Sequence, residues 1–183
     1  MKIMSKEPTF ERRETEAGFT LLEAICAITI LTIGLISTAA AISSALKFSQ
    51  ISKNAGTAKS IVMSTIEQIH SLRDSRRLRF AQIRNQDSAA PQLNPSDAAF
   101  SGFTNKTDFM PVAVFPGDDG VYGTPDDFTA EGQKFVEGYT RNIVIDDPVP
   151  NFKQITVTVR YPGANGQTYE LNCVSYLNND IKR

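Results

Sequence analysis

Tryptophan is absent from the 183 residues, histidine occurs once and cysteine twice. A zinc site built mainly from His and Cys therefore has too few ligands to draw on, and a disulfide scaffold is excluded. Net charge is almost absent too. Nineteen Lys and Arg oppose 20 Asp and Glu, a formal charge of −1, so no overall field draws the chain to nucleic acid or to an acidic surface. No nucleophile–base pair and no paired-carboxylate site stands out, so no enzyme is expected. The length suits one domain with an appendage.

What the chain has instead is one long stretch without charge. Between Glu23 and Lys47 lie 23 residues, AICAITILTIGLISTAAAISSAL, with no Asp, Glu, Lys or Arg. At a rise of about 1.5 Å per residue, a helix of that length spans roughly 34 Å, enough to cross a bilayer core. Ser37, Thr38, Ser43 and Ser44 dilute its second half. A buried core helix is the bland alternative, although such helices usually carry a polar face. Secretory cleavage is another, with Ile25 to Ile36 as the apolar region and Ala39-Ala40-Ala41 as the site. It lacks a positive flank, since Glu14 and Glu16 precede the run and Glu23 lies almost inside it.

Glu23 needs an explanation. A carboxylate near a membrane interior costs up to about 2.5–3.5 kcal/mol, and no base in the sequence around it is placed to offset that. The segment Gly18-Phe19-Thr20-Leu21-Leu22-Glu23, followed at once by the uncharged run, resembles the type IV prepilin signature. The run itself is most similar to minor pilins or minor pseudopilins. The resemblance implies cleavage after Gly18 by a prepilin peptidase that also acts as methyltransferase on the Phe19 amine. It implies that Glu23, one helical turn further on, neutralises the amine of a neighbouring subunit during assembly. Implied partners are other pilin or pseudopilin subunits, an inner-membrane assembly platform and membrane lipid. The implied location is the bacterial inner membrane, single-pass with an extracytoplasmic head, and then a pilus or a type II secretion pseudopilus. A single-pass adaptor with a binding head is the alternative. One departure is that the leader, residues 1–18, carries as many acids as bases.

Beyond Lys47 the apolar residues Ile51, Ala55, Ala58, Val62, Thr65, Ile66 and Ile69 recur at spacings of three and four, one face of a helix, with Lys53, Asn54, Lys59, Glu67 and Gln68 on the other, solvent face. The expectation is one helix from about Thr20 to about Phe80, with Gly34 and Gly56 as soft points. Its assembly half is residues 19–47 and its amphipathic half 48–84. A head of loop and sheet follows over residues 85–183. Phe100 and Phe103 should anchor the loop, and Pro111 to Phe115 could add a short strand. Alternation over Tyr139 to Ile145, Ile155 to Tyr161 and Tyr169 to Cys173 predicts an antiparallel meander, with a turn at Pro162 to Gln167. The fold class expected is α+β, the helix packed on a small meander, which resembles the pilin ladle. Cys26 and Cys173 should not meet, and Cys173 should be a small core residue.

Three features remain. His70 has no neighbouring partners and reads as a helix-surface residue. Arg73, Arg76, Arg77, Arg79 and Arg84 form a basic cluster with Phe80 as its one aromatic, which suits a solvated helix end better than nucleic acid. The loop GDDGVYGTPDD gathers Asp118, Asp119, Asp126 and Asp127 between glycines, a pattern that could hold calcium or be an acidic turn.

Overall fold

The computed structural model describes residues 19–88, 100–129 and 131–179. Gly18 and the rest of the leader lie outside the described residues. The chain divides into two compact units, Met1–Ala45 and Leu46–Arg183. Helix α1, Leu21–Asp74, contributes to both.

In the first unit Thr20 caps α1, its hydroxyl accepting the Glu23 N–H at 3.3 Å, while Glu23 places a negative charge in the first turn. Leu21, Leu22, Ile25, Ile28, Ile30, Leu31, Ile33, Leu35 and Ile36 are all exposed. The helix is apolar on every side here, not along one stripe, which fits lipid or other helices as surroundings. Five of its hydroxyls are satisfied internally. Thr29 donates to the Ile25 carbonyl at 2.8 Å, Thr32 to Ile28 at 2.7 Å, Ser37 to Ile33 at 2.8 Å, Thr38 to Gly34 at 2.8 Å and Ser44 to Ala40 at 3.0 Å. Ser37, Thr38 and Ser44, which dilute the run in sequence, thus need no outside partner in an apolar medium. The helix passes unbroken through Gly34 and Gly56.

In the second unit one antiparallel sheet of order β1-β2-β3-β4 is built from Met110–Ala113, Phe135–Val149, Phe152–Pro162 and Thr168–Asn178. The first hairpin turns at Pro150 and Asn151, the latter with φ 62°, between paired Val149 and Phe152. The second turns where expected, Pro162 pairing with Thr168. Between Pro111 and Ala113 the β1–β2 register shifts, and Gly138 on β2 takes φ 79°, a conformation that suits glycine where a strand bulges. One sheet face presents Ile143, Ile145, Ile155, Val157, Val159 and Leu177. Against it α1 sets Ala58, Val62, Ile66, Ile69 and Leu72, all in one core. Burying such aliphatic side chains stabilises by about 1.5–3 kcal/mol each. Phe100 and Phe103 enter that core edge to face, centroids 5.6 Å apart.

Three expectations need correction. Helix α1 stops at Asp74, not near Phe80. Arg76 adopts φ 57°, and the Leu78 N–H turns back to the Leu72 carbonyl at 3.0 Å, so Leu78 reaches the core. Asn54 is not on the solvent face, because its amide donates to the Pro162 carbonyl at 2.8 Å. Cys173 is half-buried at the core margin; both cysteines are free.

Candidate functional site

Two regions hold the residues singled out by sequence. The first is the start of α1. Phe19, 76% exposed, precedes the Thr20 cap, and Glu23 is an exposed acid on the first turn. Gly18 lies outside the described residues, so its geometry with Phe19 is not part of the structure. The arrangement sets an acid one turn after Phe19 at the entry of an uncharged helix. It offers no groups for bond-making chemistry, only a charge awaiting a counter-charge.

The second region is the acidic loop, where the structure separates four similar-looking aspartates. Asp118 is exposed. Asp119 accepts the Val121 N–H at 2.7 Å and its own N–H donates to Asp126 Oδ2 at 2.9 Å. Asp126 Oδ1 accepts from the Thr124 hydroxyl at 2.6 Å. Asp127 is fully buried and clamps the loop, Oδ1 accepting from Gly117 N–H at 2.9 Å and Oδ2 from Gly123 N–H at 2.5 Å. Gly123 has φ 91°, and a Cβ there would lie 2.5 Å from Ile143 Cδ1, so only glycine lets the backbone approach this carboxylate. Burial pushes the Asp127 and Asp119 carboxyls above the usual range, against the opposing pull of the N–H groups they accept.

The inward carboxylate oxygens of this loop are already held from within the fold. Among the described residues no three His, Cys, Asp or Glu side chains are grouped to hold a metal ion. The inward oxygens are engaged by amides and a hydroxyl instead, and the carboxylates serve as internal acceptors for a loop with few backbone partners. The chain should accordingly melt at the same temperature in calcium and in chelator. A rise of several degrees in calcium, as mass action at high saturation gives, would return the aspartates to the ion.

Asp127 also meets a partner that the sequence did not reveal. Arg141, an inward-facing residue of β2 and only 7% exposed, brings Nη2 to 3.9 Å from Asp127 Oδ2 and donates from Nη1 to Thr65 Oγ1 of α1 at 2.9 Å. Loop, sheet and helix are joined through one guanidinium. Burial pulls its pKa down to about 10, with Asp127 opposing the shift. Asn85 is the other missed residue. Fully buried, it donates to the Thr104 and Ile143 carbonyls at 2.6 Å each and accepts the Ile145 N–H at 2.8 Å, acting as an extra rung beside β2. A polar residue at an inward register position was the available signal for Arg141; Asn85, in a loop, had none.

The remaining sequence candidates become structural. His70 Nε2 lies 2.8 Å from Ser175 Oγ on β4, and burial pulls the imidazole below its usual pKa. From the basic cluster Arg73 donates to the Asn178 carbonyl at 3.0 Å and Arg77 to the Asp119 carbonyl at 2.7 Å, so these two tie the helix end to the head. Arg76, Arg77, Arg79 and Arg84 fall beyond the end of α1.

Comparison with known proteins bears on the first region. The prokaryotic N-terminal methylation motif matches residues 14–39, a stretch holding Gly18, Phe19, Glu23 and most of the uncharged run. No curated protein and no solved structure matches the chain. The chain thus carries a type IV pilin-like N-terminal signature, together with an α+β body whose long helix packs against a four-stranded antiparallel sheet. The signature fits a structural protein that meets other pilins and the prepilin peptidase. The motif and the apolar helix, long enough to cross a membrane, fit anchoring in the inner membrane.

Proposed function

We propose that the protein is a minor pilin or pseudopilin, a subunit of a type IV pilus or type II secretion filament. One observation carries the reading. The methylation motif coincides with the start of a helix long and apolar enough to cross a membrane, whose apolar stretch is nowhere buried within the chain. A surface of that kind calls for lipid before assembly and neighbouring helices after it. Maturation would occur between Gly18 and Phe19, with methylation of the Phe19 amine. The head would stay outside the cytoplasmic membrane, and an inner-membrane platform would receive the subunit.

Mass spectrometry of the mature N-terminus tests this. Methyl-Phe19 is the expected result. An intact Met1 would instead favour a membrane-anchored adaptor with a binding head, and a terminus at Ile42 a secreted protein. Gly18→Leu should retain the leader, because a side chain before the scissile bond obstructs close approach of the peptidase to the backbone. Normal maturation of that variant would move the cleavage site elsewhere.

A further inference from the structure

The groove beside Arg141 has a chemistry that the filament reading does not use. A cavity of about 430 Å³ opens between α1, β1 and β2, with Ile61, Val112 and Val136 as apolar walls, exposed Ser64 at its rim, and Thr65 and Arg141 at its buried end. That volume lies within the range of small-molecule sites, which pair apolar walls with a few fixed polar groups.

Arg141 is poorly compensated for a buried cation. Among the described residues its one hydrogen bond goes to Thr65 Oγ1. The nearest carboxylate, Asp127, stands 3.9 Å away, beyond hydrogen-bond reach, with both oxygens occupied by the Gly117 and Gly123 amides. A guanidinium has five N–H donors in a planar fork matched to a carboxylate. Most of that fork therefore has no acceptor among the described residues and opens onto the groove, whose lining also includes Gln68 and Tyr122. An ammonium would be repelled, a neutral carbonyl would accept from the fork without offsetting its charge, and an uncharged apolar ligand would leave the fork unpaired. The depressed pKa of Arg141 is what incomplete compensation of a buried cation produces.

We propose that this groove binds a small organic acid, one carboxylate on an apolar body such as an aromatic ring or a branched chain, with the carboxylate on Arg141 and the body between Ile61, Val112 and Val136. The test uses the full chain in detergent with methyl-labelled Ile and Val, titrated with benzoate and with benzamide. Benzoate should shift the methyl signals of Ile61, Val112 and Val136 and bind at least about tenfold more tightly than benzamide, which lacks the charge. Arg141→Gln should remove that preference. Because this variant removes a core group, Ser64→Trp, at the exposed rim, provides the second arm. It should block the shifts while leaving Arg141 and its contacts in place. No shift at the solubility limit of benzoate, equal binding of benzamide, or shifts that persist in Ser64→Trp would each overturn the proposal. So would binding confined to a blocked peptide carrying glutamate, which would assign the groove to a protein partner.

Discussion

Asp127→Ala should destabilise the Leu46–Arg183 unit by about 3–5 kcal/mol, the cost typical of removing one partner from a buried charge pair. Two effects add. Gly117 and Gly123 lose the acceptor for their N–H groups, and Arg141 keeps its buried charge without the carboxylate 3.9 Å away. For a unit of this size the melting temperature should fall by about 10–20 °C. Denaturation of the full chain, followed by the signal of the sheet, gives the number. Asp118→Ala is the control. That side chain is exposed, and its loss should change stability by less than about 0.5 kcal/mol. Equal effects of the two substitutions would mean that Asp127 does not clamp the loop.

Glu23→Gln should insert into the membrane at least as well as the parent and join filaments at least about tenfold less efficiently. Insertion gains because a charge that apolar surroundings disfavour has gone. On the proposed function assembly loses, because the Phe19 amine of a neighbouring subunit would no longer meet a carboxylate, and an unpaired charge in low dielectric costs several kcal/mol. The structure supplies the competing explanation. Thr20 caps the helix and Glu23 occupies the third helical position, the pattern of a capping box, where an acid adds only about 0.3–1 kcal/mol through the helix dipole. Glutamine serves a capping box nearly as well as glutamate, so the substitution separates the roles. Filament incorporation of Glu23→Gln at the parental level, measured by immunoblot of sheared or cross-linked filaments, would leave Glu23 as a helix-start residue alone.

The proposed acid site and the loop clamp meet at Arg141, and the two can be read separately. Asp127→Ala acts on folding, whereas Ser64→Trp acts only on access to the groove. Asp119 and Arg77 add a further tie, the guanidinium reaching the Asp119 carbonyl at 2.7 Å, so the loop is also held from the segment after α1.

What the sequence determined by itself was whatever repeats along the chain. The uncharged run from Ala24 to Leu46, the helical spacing from Ala58 to Ile69 and the alternation of Ile155, Val157 and Val159 are local patterns, and side-chain direction in helices and strands has a fixed period. The motif belonged to the same class, since Gly18, Phe19 and Glu23 lie within six consecutive residues. What only the tertiary structure decided was the fate of single polar residues with distant partners. Asn85 finds its partners at Thr104, Ile143 and Ile145, and Arg141 finds Thr65 and Asp127. Four aspartates of one loop were alike in sequence, yet one is exposed and one is fully buried. Burial and hydrogen-bond supply depend on which elements pack together, and no local period encodes that. The end of α1 followed the same rule. Helical propensity continues past Asp74, but Leu78 gains more by turning back into the core than another helical turn would give.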